Sequence, residues 1–144
     1  MLQRRSGFTM IELVFVIVVL GILAAIAVPR FAATREDAVI SAGAATVSAV
    51  RSGIVGLRQR NILAGTNDWP LASSISGDTF GVLAYPVAMG SNGGEWSDLG
   101  GGSYRYTILA GRTVVFTYNA NNGNFDCVAP LAVPSADCAR LTGR

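Results

Sequence analysis

The chain has 144 residues, of which 51% are hydrophobic and 14% are charged. Because soluble domains carry about 25% charged residues, either the core is unusually large or part of the chain lies in lipid, and a long disordered protein is excluded. The net charge is +2, every basic residue is Arg, and Lys and His are absent, which argues against an electrostatic nucleic-acid binder and against His triads, imidazole metal sites and lysine-based catalysis.

The apolar excess is concentrated near the N-terminus. No polar side chain occurs from Leu13 to Val28, and the stretch extends back to Phe8 if a few polar residues are admitted. As a helix, residues 8–28 would be about 31 Å long, enough for a bilayer core of about 30 Å. Arg4 and Arg5 precede this segment without any acid. The positive-inside rule therefore predicts a single span of the inner membrane with the N-terminus in the cytoplasm and the rest exported.

Three interpretations of this N-terminus compete. It is a secretory signal cleaved after Ala27, or a simple membrane anchor, or a segment in which Glu12 has a function. A carboxylate at the bilayer centre costs about 2.5–3.5 kcal/mol, and somewhat less near the edge. Neither a plain signal nor a plain anchor explains Glu12, and no other ionisable side chain lies within the span. A functional Glu12 therefore requires a partner from a chain terminus or from another molecule.

The residues around Glu12 carry a family resemblance. A short basic leader precedes Gly7-Phe8-Thr9-Met10-Ile11-Glu12, and the apolar run ends in Ala-Val-Pro-Arg-Phe at 27–31. This segment resembles the N-terminus of type IV prepilins and of the pseudopilins of type II secretion. The resemblance implies that a prepilin peptidase cuts after Gly7 and that Phe8 becomes the methylated N-terminal residue. The Val-Pro-Arg-Phe run at 28–31 and the helix are also similar to the mannose-sensitive haemagglutinin branch of type IV pilins.

Processing of this kind gives Glu12 a partner. Cleavage frees an amine at Phe8, and in a staggered stack Glu12 of one subunit meets the Phe8 amine of its neighbour. Such a pair specifies how far one subunit slides past the next more than it adds stability. Loss of residues 1–7 also removes Arg4 and Arg5, which leaves nine Arg against nine acids and a side-chain balance of zero.

The exported part begins with a helix. Pro29 predicts a kink or local unwinding where the span leaves the bilayer, and breakers in the segment 61–70 predict an end near residue 63. One apolar stripe has helical spacing: Val39, Gly43, Val47, Val50, Ile54 and Leu57. A second row holds small residues: Ala38, Ala42, Ala45, Ala49 and Gly53. The stripe predicts a core face, whereas the small row fits close packing either within the subunit or against another helix.

Further along the chain the apolar pattern changes to a period of two. Residues 104–109 and 113–118 predict two strands joined by a hairpin at 110–112, and Asn122-Gly123 predicts a second turn before a strand at 124–128. Residues 79–87 fit a weak strand or an irregular loop. The glycine-rich segment 90–103 predicts a surface loop, and its glycines match no nucleotide-binding spacing.

The chain has two cysteines, Cys127 and Cys138. In an exported protein a disulfide is the natural interpretation, with a contribution of about 3 kcal/mol for a loop of this size; two free thiols are the alternative. The resemblance implies the same bridge, because many type IV pilins close a C-terminal loop in this way, and the loop 127–138 is expected on the filament surface.

No catalytic, cofactor or metal site emerges from the sequence. The six acids of residues 64–144 are scattered without a calcium-loop pattern and are expected to be solvated: Asp68, Asp78, Glu95, Asp98, Asp126 and Asp137. Major pseudopilins often hold calcium in this part of the molecule, and Asp98 beside glycine-loop carbonyls imitates that arrangement weakly. The disulfide and the long loop favour a pilus subunit over a pseudopilin.

Together these features predict an α+β protein in which a long N-terminal helix packs on a small antiparallel sheet, the pilin fold. The expected divisions are a leader (1–7), a transmembrane and polymerisation helix (8–28), an amphipathic helix (29–63) and a sheet region (64–144). The predicted function is a structural subunit of a type IV pilus-like filament for adhesion or motility. Its partners would be inner-membrane lipid, the prepilin peptidase, the assembly machinery and other copies of the chain. The alternatives are a secretion pseudopilin, a minor pilin and a Sec-exported soluble binding domain.

Overall fold

The computed structural model describes residues 7–75, 80–85, 87–109, 111–128 and 135–143. Its elements in chain order are α1 (Met10–Leu63), α2 (Ala72–Ile75), β1 (Trp96–Gly100), β2 (Ser103–Leu109), β3 (Arg112–Asn119), β4 (Asn124–Val128) and α3 (Ser135–Thr142). A long helix followed by a four-stranded sheet confirms the predicted α+β class. Several residues used in the sequence predictions lie outside the described part: Arg4, Arg5, Asp78, Ala110 and the middle of the disulfide loop at 129–134.

The chain divides into two compact units, Met1–Arg35 and Glu36–Arg144, and α1 supplies residues to both. We call the second unit the head. The helical assignment runs through Pro29 without interruption, so local unwinding there is not observed, and the kink stays a prediction.

The C-terminus of α1 lies at Leu63, as the breakers predicted. Gly65 follows in a left-handed conformation with φ of 89°. The Gly65 N–H donates to the carbonyl of Ile62 at 3.0 Å, and the Thr66 N–H donates to that of Asn61 at 2.9 Å. These two bonds form a Schellman motif, which satisfies carbonyls that would otherwise lack partners at the end of the helix.

The part of α1 in the head packs on the sheet through the predicted stripe. Val47, Val50 and Ile54 are buried in one core cluster, and Val39 packs against its edge. The alanines of the second row behave differently, because Ala38, Ala42, Ala45 and Ala49 are all exposed to solvent. Packing within the subunit therefore accounts for the stripe and not for these alanines.

The sheet is an antiparallel meander in the order β1-β2-β3-β4. Its inward residues alternate as the sequence predicted: Tyr104, Tyr106, Ile108, Val114, Phe116 and Tyr118 are all buried. The hairpin between β2 and β3 and the turn at Asn122-Gly123 are both present, and Phe116 lies opposite Tyr104 on one side and Cys127 on the other. The period-two pattern thus identified the core face of both central strands.

The prediction of a surface loop over residues 90–103 is wrong, because β1 lies within this segment. The Trp96 side chain is buried against the rings of Phe80 and Phe116. Its backbone N–H donates to the carbonyl of Ala88 at 2.9 Å. Burial of the Trp96 side chain therefore places part of this glycine-rich segment in the sheet. The described part of 79–87 contains no strand, which leaves the irregular loop, and Phe80 anchors that loop in the core.

Two buried tyrosines donate hydrogen bonds from their hydroxyl groups to backbone carbonyls outside the sheet. Tyr106 donates to the carbonyl of Val39 in α1 at 2.5 Å, and Tyr118 donates to the carbonyl of Pro70 at 2.8 Å. Burial disfavours the phenolate and raises the pKa of both side chains above the ordinary value of 10.0. Both hydroxyls therefore remain donors at neutral pH.

Gly43→Ala should destabilise the head, whereas Gly56→Ala in the same helix should not. A Cβ at Gly43 would lie 2.5 Å from the Tyr106 ring and 2.7 Å from the Leu141 side chain, while a Cβ at Gly56 would meet nothing within 4 Å. We expect a loss of about 1–3 kcal/mol at Gly43 from overpacking, and a gain of up to about 1 kcal/mol at Gly56 from helix propensity. Chemical denaturation of the full-length protein in detergent measures both. Equal shifts in the two variants would contradict the tight contact at Gly43.

Candidate functional site

The first unit holds Glu12 in the first turn of α1. One Glu12 side-chain oxygen accepts hydrogen bonds from the backbone N–H of Thr9 at 2.9 Å and from the Thr9 hydroxyl at 2.8 Å. In return, the Glu12 N–H donates to the Thr9 hydroxyl oxygen at 3.3 Å. This reciprocal pattern is a capping box, which satisfies backbone donors that have no partner within the helix.

The capping box changes the interpretation of Glu12. The absence of another ionisable side chain from the span predicted a partner from a terminus or another molecule. The structure adds Thr9 as a partner within the same chain. The signal was present in the sequence, because Thr followed three residues later by Glu at the start of an apolar run is the usual capping-box pattern.

The surroundings of Glu12 are apolar and exposed. Phe8, Ile11, Phe15 and Val16 line a shallow cleft together with Glu12, and Phe8 is 80% exposed. Gly7 is also exposed, and no heavy atom lies within 4 Å of the position that a Cβ would occupy there. Gly7 and Phe8, the two residues of the predicted cleavage site, therefore lie in an accessible segment ahead of the helix.

The segment that follows Glu12 has the dimensions of a membrane span. Met10–Val28 comprises 19 residues, none of which is buried. As a helix it is about 28 Å long, which matches the hydrocarbon thickness of a bilayer. Thr34–Leu63 also has the length and apolar composition of a span, but this part of α1 supplies core residues to the head.

A known sequence motif coincides with this segment. Residues 2–28 match the prokaryotic N-terminal methylation motif. The methylation motif thus covers Gly7, Phe8, Glu12 and the whole apolar run up to Val28.

Two curated proteins are similar to the chain over somewhat more than a third of its length. The type IV narrow pilus major component of Thermus thermophilus is 54% identical over 50 residues, which are 35% of this chain and 43% of that protein. The type II secretion system core protein G of Pseudomonas aeruginosa is 38% identical over 55 residues, which are 37% of this chain and 39% of that protein. The chain therefore spans about two fifths of the length of these relatives. No solved structure matches it.

Outside the methylation motif, the head contains a network of ion pairs around Arg112. The Arg112 guanidinium lies 2.8 Å from the carboxylate of Glu36 in α1 and 2.7 Å from that of Asp137 in α3. Its two bonds to the Asp137 oxygens measure 2.7 and 2.9 Å. The hydrogen bonds to Asp137 and then to Glu36 raise the pKa of Arg112 above its ordinary value. Arg140 of α3 adds a pair to Asp37 at 2.5 Å.

The expectation that the six acids of residues 64–144 are solvated is wrong for Asp137. Its side chain is only 3% exposed. The error has a physical cause: the sequence does not reveal α3 or its docking beside Arg112, and a carboxylate is buried in proteins only where it is paired. Asp126 is also paired, with Arg51 at 2.6 Å.

The predicted disulfide is present. Cys127 of β4 and Cys138 of α3 are bonded, with their Cα atoms 5.9 Å apart. The bridge fixes α3 beside the edge strand, where Arg51 of α1 also donates to the carbonyls of Phe125 at 3.0 Å and Thr142 at 3.3 Å. The two cysteines predicted this bond, but α3, the helix that carries Cys138, was not predicted.

The head shows no assembled metal site in its described part, where no three His, Cys, Asp or Glu residues form a group able to hold an ion. Asp98, whose position beside glycine-loop carbonyls resembles that of a calcium ligand, accepts a hydrogen bond from the N–H of Gly100 at 2.7 Å. Its carboxylate thus stabilises the turn between β1 and β2.

Proposed function

We propose that the chain is a structural subunit of a type IV pilus-like filament, with no catalytic role. In this proposal it enters the inner membrane with its N-terminus in the cytoplasm and polymerises through its N-terminal helix. The main support is the Met10–Val28 segment, which is apolar, unburied and long enough to span a bilayer. The same segment lies within the methylation motif. An unburied apolar helix needs lipid or other helices around it.

The first step of assembly is processing. A prepilin peptidase cleaves between Gly7 and Phe8, and the new N-terminal amine of Phe8 is methylated. The exposure of both residues supports this step, since a peptidase needs an accessible peptide bond. Removal of the leader also removes Arg4 and Arg5, which supply the whole positive excess of the chain.

The second step is the registration of subunits. Glu12 caps its own helix through one oxygen, and the charge of the carboxylate stays uncompensated until a cation approaches. The Phe8 amine of a neighbouring subunit supplies that cation. In an apolar surrounding an unpaired charge is costly and a matched pair is tolerated. The pair therefore selects one axial position of a subunit relative to its neighbour.

The small residues of α1 support close packing of subunits. Ala38, Ala42, Ala45 and Ala49 are exposed although they form a row at helical spacing. Small side chains allow helices to approach closely. We assign this row to contacts with other copies of the chain. The heads, with the disulfide and α3, then remain available for contact with cells or surfaces.

A pseudopilin of a type II secretion system is the second candidate. It is favoured by the similarity to the core protein G of Pseudomonas aeruginosa, at 38% identity over 55 residues. Both candidates share the processing and packing steps described above. A minor pilin would share them as well.

Mass spectrometry of the mature N-terminus tests the proposal. We expect the chain isolated from membranes or filaments to begin at methylated Phe8. A chain that begins at Val28 would show a secretory signal cleaved after Ala27 and would overturn the proposal. A chain that retains its leader after export would also contradict it.

A further inference from the structure

The sequence contains two Asn-Gly pairs, Asn92-Gly93 and Asn122-Gly123, and both lie in described turns. Asparagine followed by glycine is the dipeptide most prone to spontaneous loss of the side-chain amide, because glycine has no Cβ to shield its backbone nitrogen. The two turns differ in how they hold the reacting atoms. We propose that Asn92 is a site of spontaneous deamidation in the exported protein and that the fold protects Asn122.

The reaction needs only the chain and water. The backbone nitrogen of Gly93 attacks the side-chain carbonyl carbon of Asn92 and forms a five-membered imide. The side-chain nitrogen leaves as ammonia and carries away the proton lost by the Gly93 N–H. Water then opens the imide at one of its two carbonyl carbons, which yields either aspartate or isoaspartate. No electron transfer and no cofactor are involved.

The turn at Asn92 leaves both reacting groups available. The Glu95 N–H donates to the Asn92 carbonyl at 3.1 Å, and a Glu95 side-chain oxygen accepts from the Asn92 N–H at 2.8 Å. These bonds use the main chain of Asn92 only. Among the described residues, neither the Asn92 side chain nor the Gly93 N–H has a hydrogen-bond partner. Both residues are exposed, so water and hydroxide reach them.

The turn at Asn122 holds the equivalent atoms in place. The Gly123 N–H, which would be the attacking group, donates to the carbonyl of Asn119 at 2.8 Å. The Asn122 side-chain oxygen accepts from the N–H of Asn124 at 3.0 Å. The Trp69 ring fills the space beside Gly123 where a Cβ would lie.

Trp69 is also in contact with Arg58. The Arg58 guanidinium carbon lies 3.8 Å from the centroid of the Trp69 ring, an arrangement that stabilises the ring position through a cation–π interaction. Movement of Gly123 toward the Asn122 side chain must therefore break a turn hydrogen bond and disturb a packed ring. At Asn92 the attacking Gly93 N–H has, within the described part of the chain, no turn hydrogen bond of its own to break, and the atom beside Gly93 is the Ile108 carbonyl oxygen, 2.9 Å from where a Cβ would lie, and not a packed ring.

Deamidation at Asn92 would alter the surface of the head. It adds a negative charge close to Glu95. The isoaspartate product also inserts a methylene group into a turn whose main chain is bonded to β2, because the Gly94 N–H donates to the carbonyl of Thr107 at 2.7 Å and the Thr107 N–H donates to that of Glu95 at 3.0 Å. An ageing subunit therefore becomes more acidic and loses part of the attachment of this turn.

Peptide mass spectrometry of the full-length protein in detergent tests the proposal. Arg105 and Arg112 lie between the two sites, so cleavage after Arg places Asn92 and Asn122 in different peptides. During incubation at mildly alkaline pH, we expect Asn92 to convert at least about tenfold faster than Asn122, a ratio equivalent to one or two turn hydrogen bonds. Fragmentation that distinguishes isoaspartate from aspartate should find both products at position 92.

The unfolded chain is the control for the local sequence. In denaturant both pairs should convert at similar rates, and folding should then slow Asn122 much more than Asn92. Asn92→Gln should abolish the formation of isoaspartate in the folded protein, whereas the matched variant Asn122→Gln should leave it unchanged. Equal conversion of both sites in the folded protein, or faster conversion of Asn122, would overturn the proposal.

Discussion

Replacing Glu12 with glutamine should leave membrane insertion and processing intact but reduce filament assembly at least about tenfold. Glutamine keeps the size of the side chain and can still accept the hydrogen bonds from Thr9, because Gln serves as well as Glu in a capping box. Glutamine lacks the negative charge that, in our proposal, pairs with the Phe8 amine of the next subunit. A charge-assisted hydrogen bond contributes about 1.5–3 kcal/mol, and about 1.4 kcal/mol corresponds to a factor of ten in an equilibrium. Filaments sheared from cells and counted against the membrane pool measure the effect.

Thr9→Ala separates the cap from the charge. It removes the hydroxyl that bonds Glu12 but keeps the carboxylate. We expect a cost of about 1 kcal/mol from the weaker cap and only a modest loss of filaments. Normal assembly of Glu12→Gln together with failed assembly of Thr9→Ala would mean that Glu12 acts as a helix cap and not in subunit registration. The mature N-terminus must be checked in both variants, so that a processing defect is not mistaken for an assembly defect.

Local signals in the sequence were sufficient for much of the fold. Gly65 and its neighbours form a compact hydrogen-bonded motif that depends on residues 61–66 alone, so the end of α1 could be predicted. The alternation in β2 and β3 likewise reflects one buried face of a half-exposed sheet. These features require no knowledge of what lies elsewhere in the chain.

Elements that depend on distant partners could not be predicted. An isolated helix of eight residues is unstable in water, and α3 is held by contacts that are remote in sequence: its Arg140 pairs with Asp37, which lies 103 positions away. The position of β1 depends in the same way on Trp96 finding Phe80 and Phe116 in the core. The cap at Glu12 differs from these elements. Its partner Thr9 is close in sequence, and the Thr9–Glu12 spacing alone is sufficient to predict a capping box.

The ion pair that buries Asp137 leads to the second large effect. Arg112→Ala should destabilise the head by about 3 kcal/mol, because removing one member of a buried pair leaves the other charge without compensation. Asp137 is the buried member, with 3% of its side chain exposed, whereas Arg112 is 38% exposed. The effect should therefore lie at the lower end of the range for buried pairs. Trp96, which is buried in the core, provides the fluorescence signal for denaturation of the full-length protein in detergent.

Two further variants distinguish an uncompensated Asp137 carboxylate from a simple loss of packing at Arg112. Adding Asp137→Asn to the Arg112→Ala variant should restore part of the lost stability, because a neutral amide costs less to bury than a carboxylate. Arg105→Ala, a change at an exposed Arg in the same sheet, should stay within about 0.5 kcal/mol of the parent. A deficit that Asp137→Asn does not reduce would assign the role of Arg112 to packing of its side chain between α1 and α3.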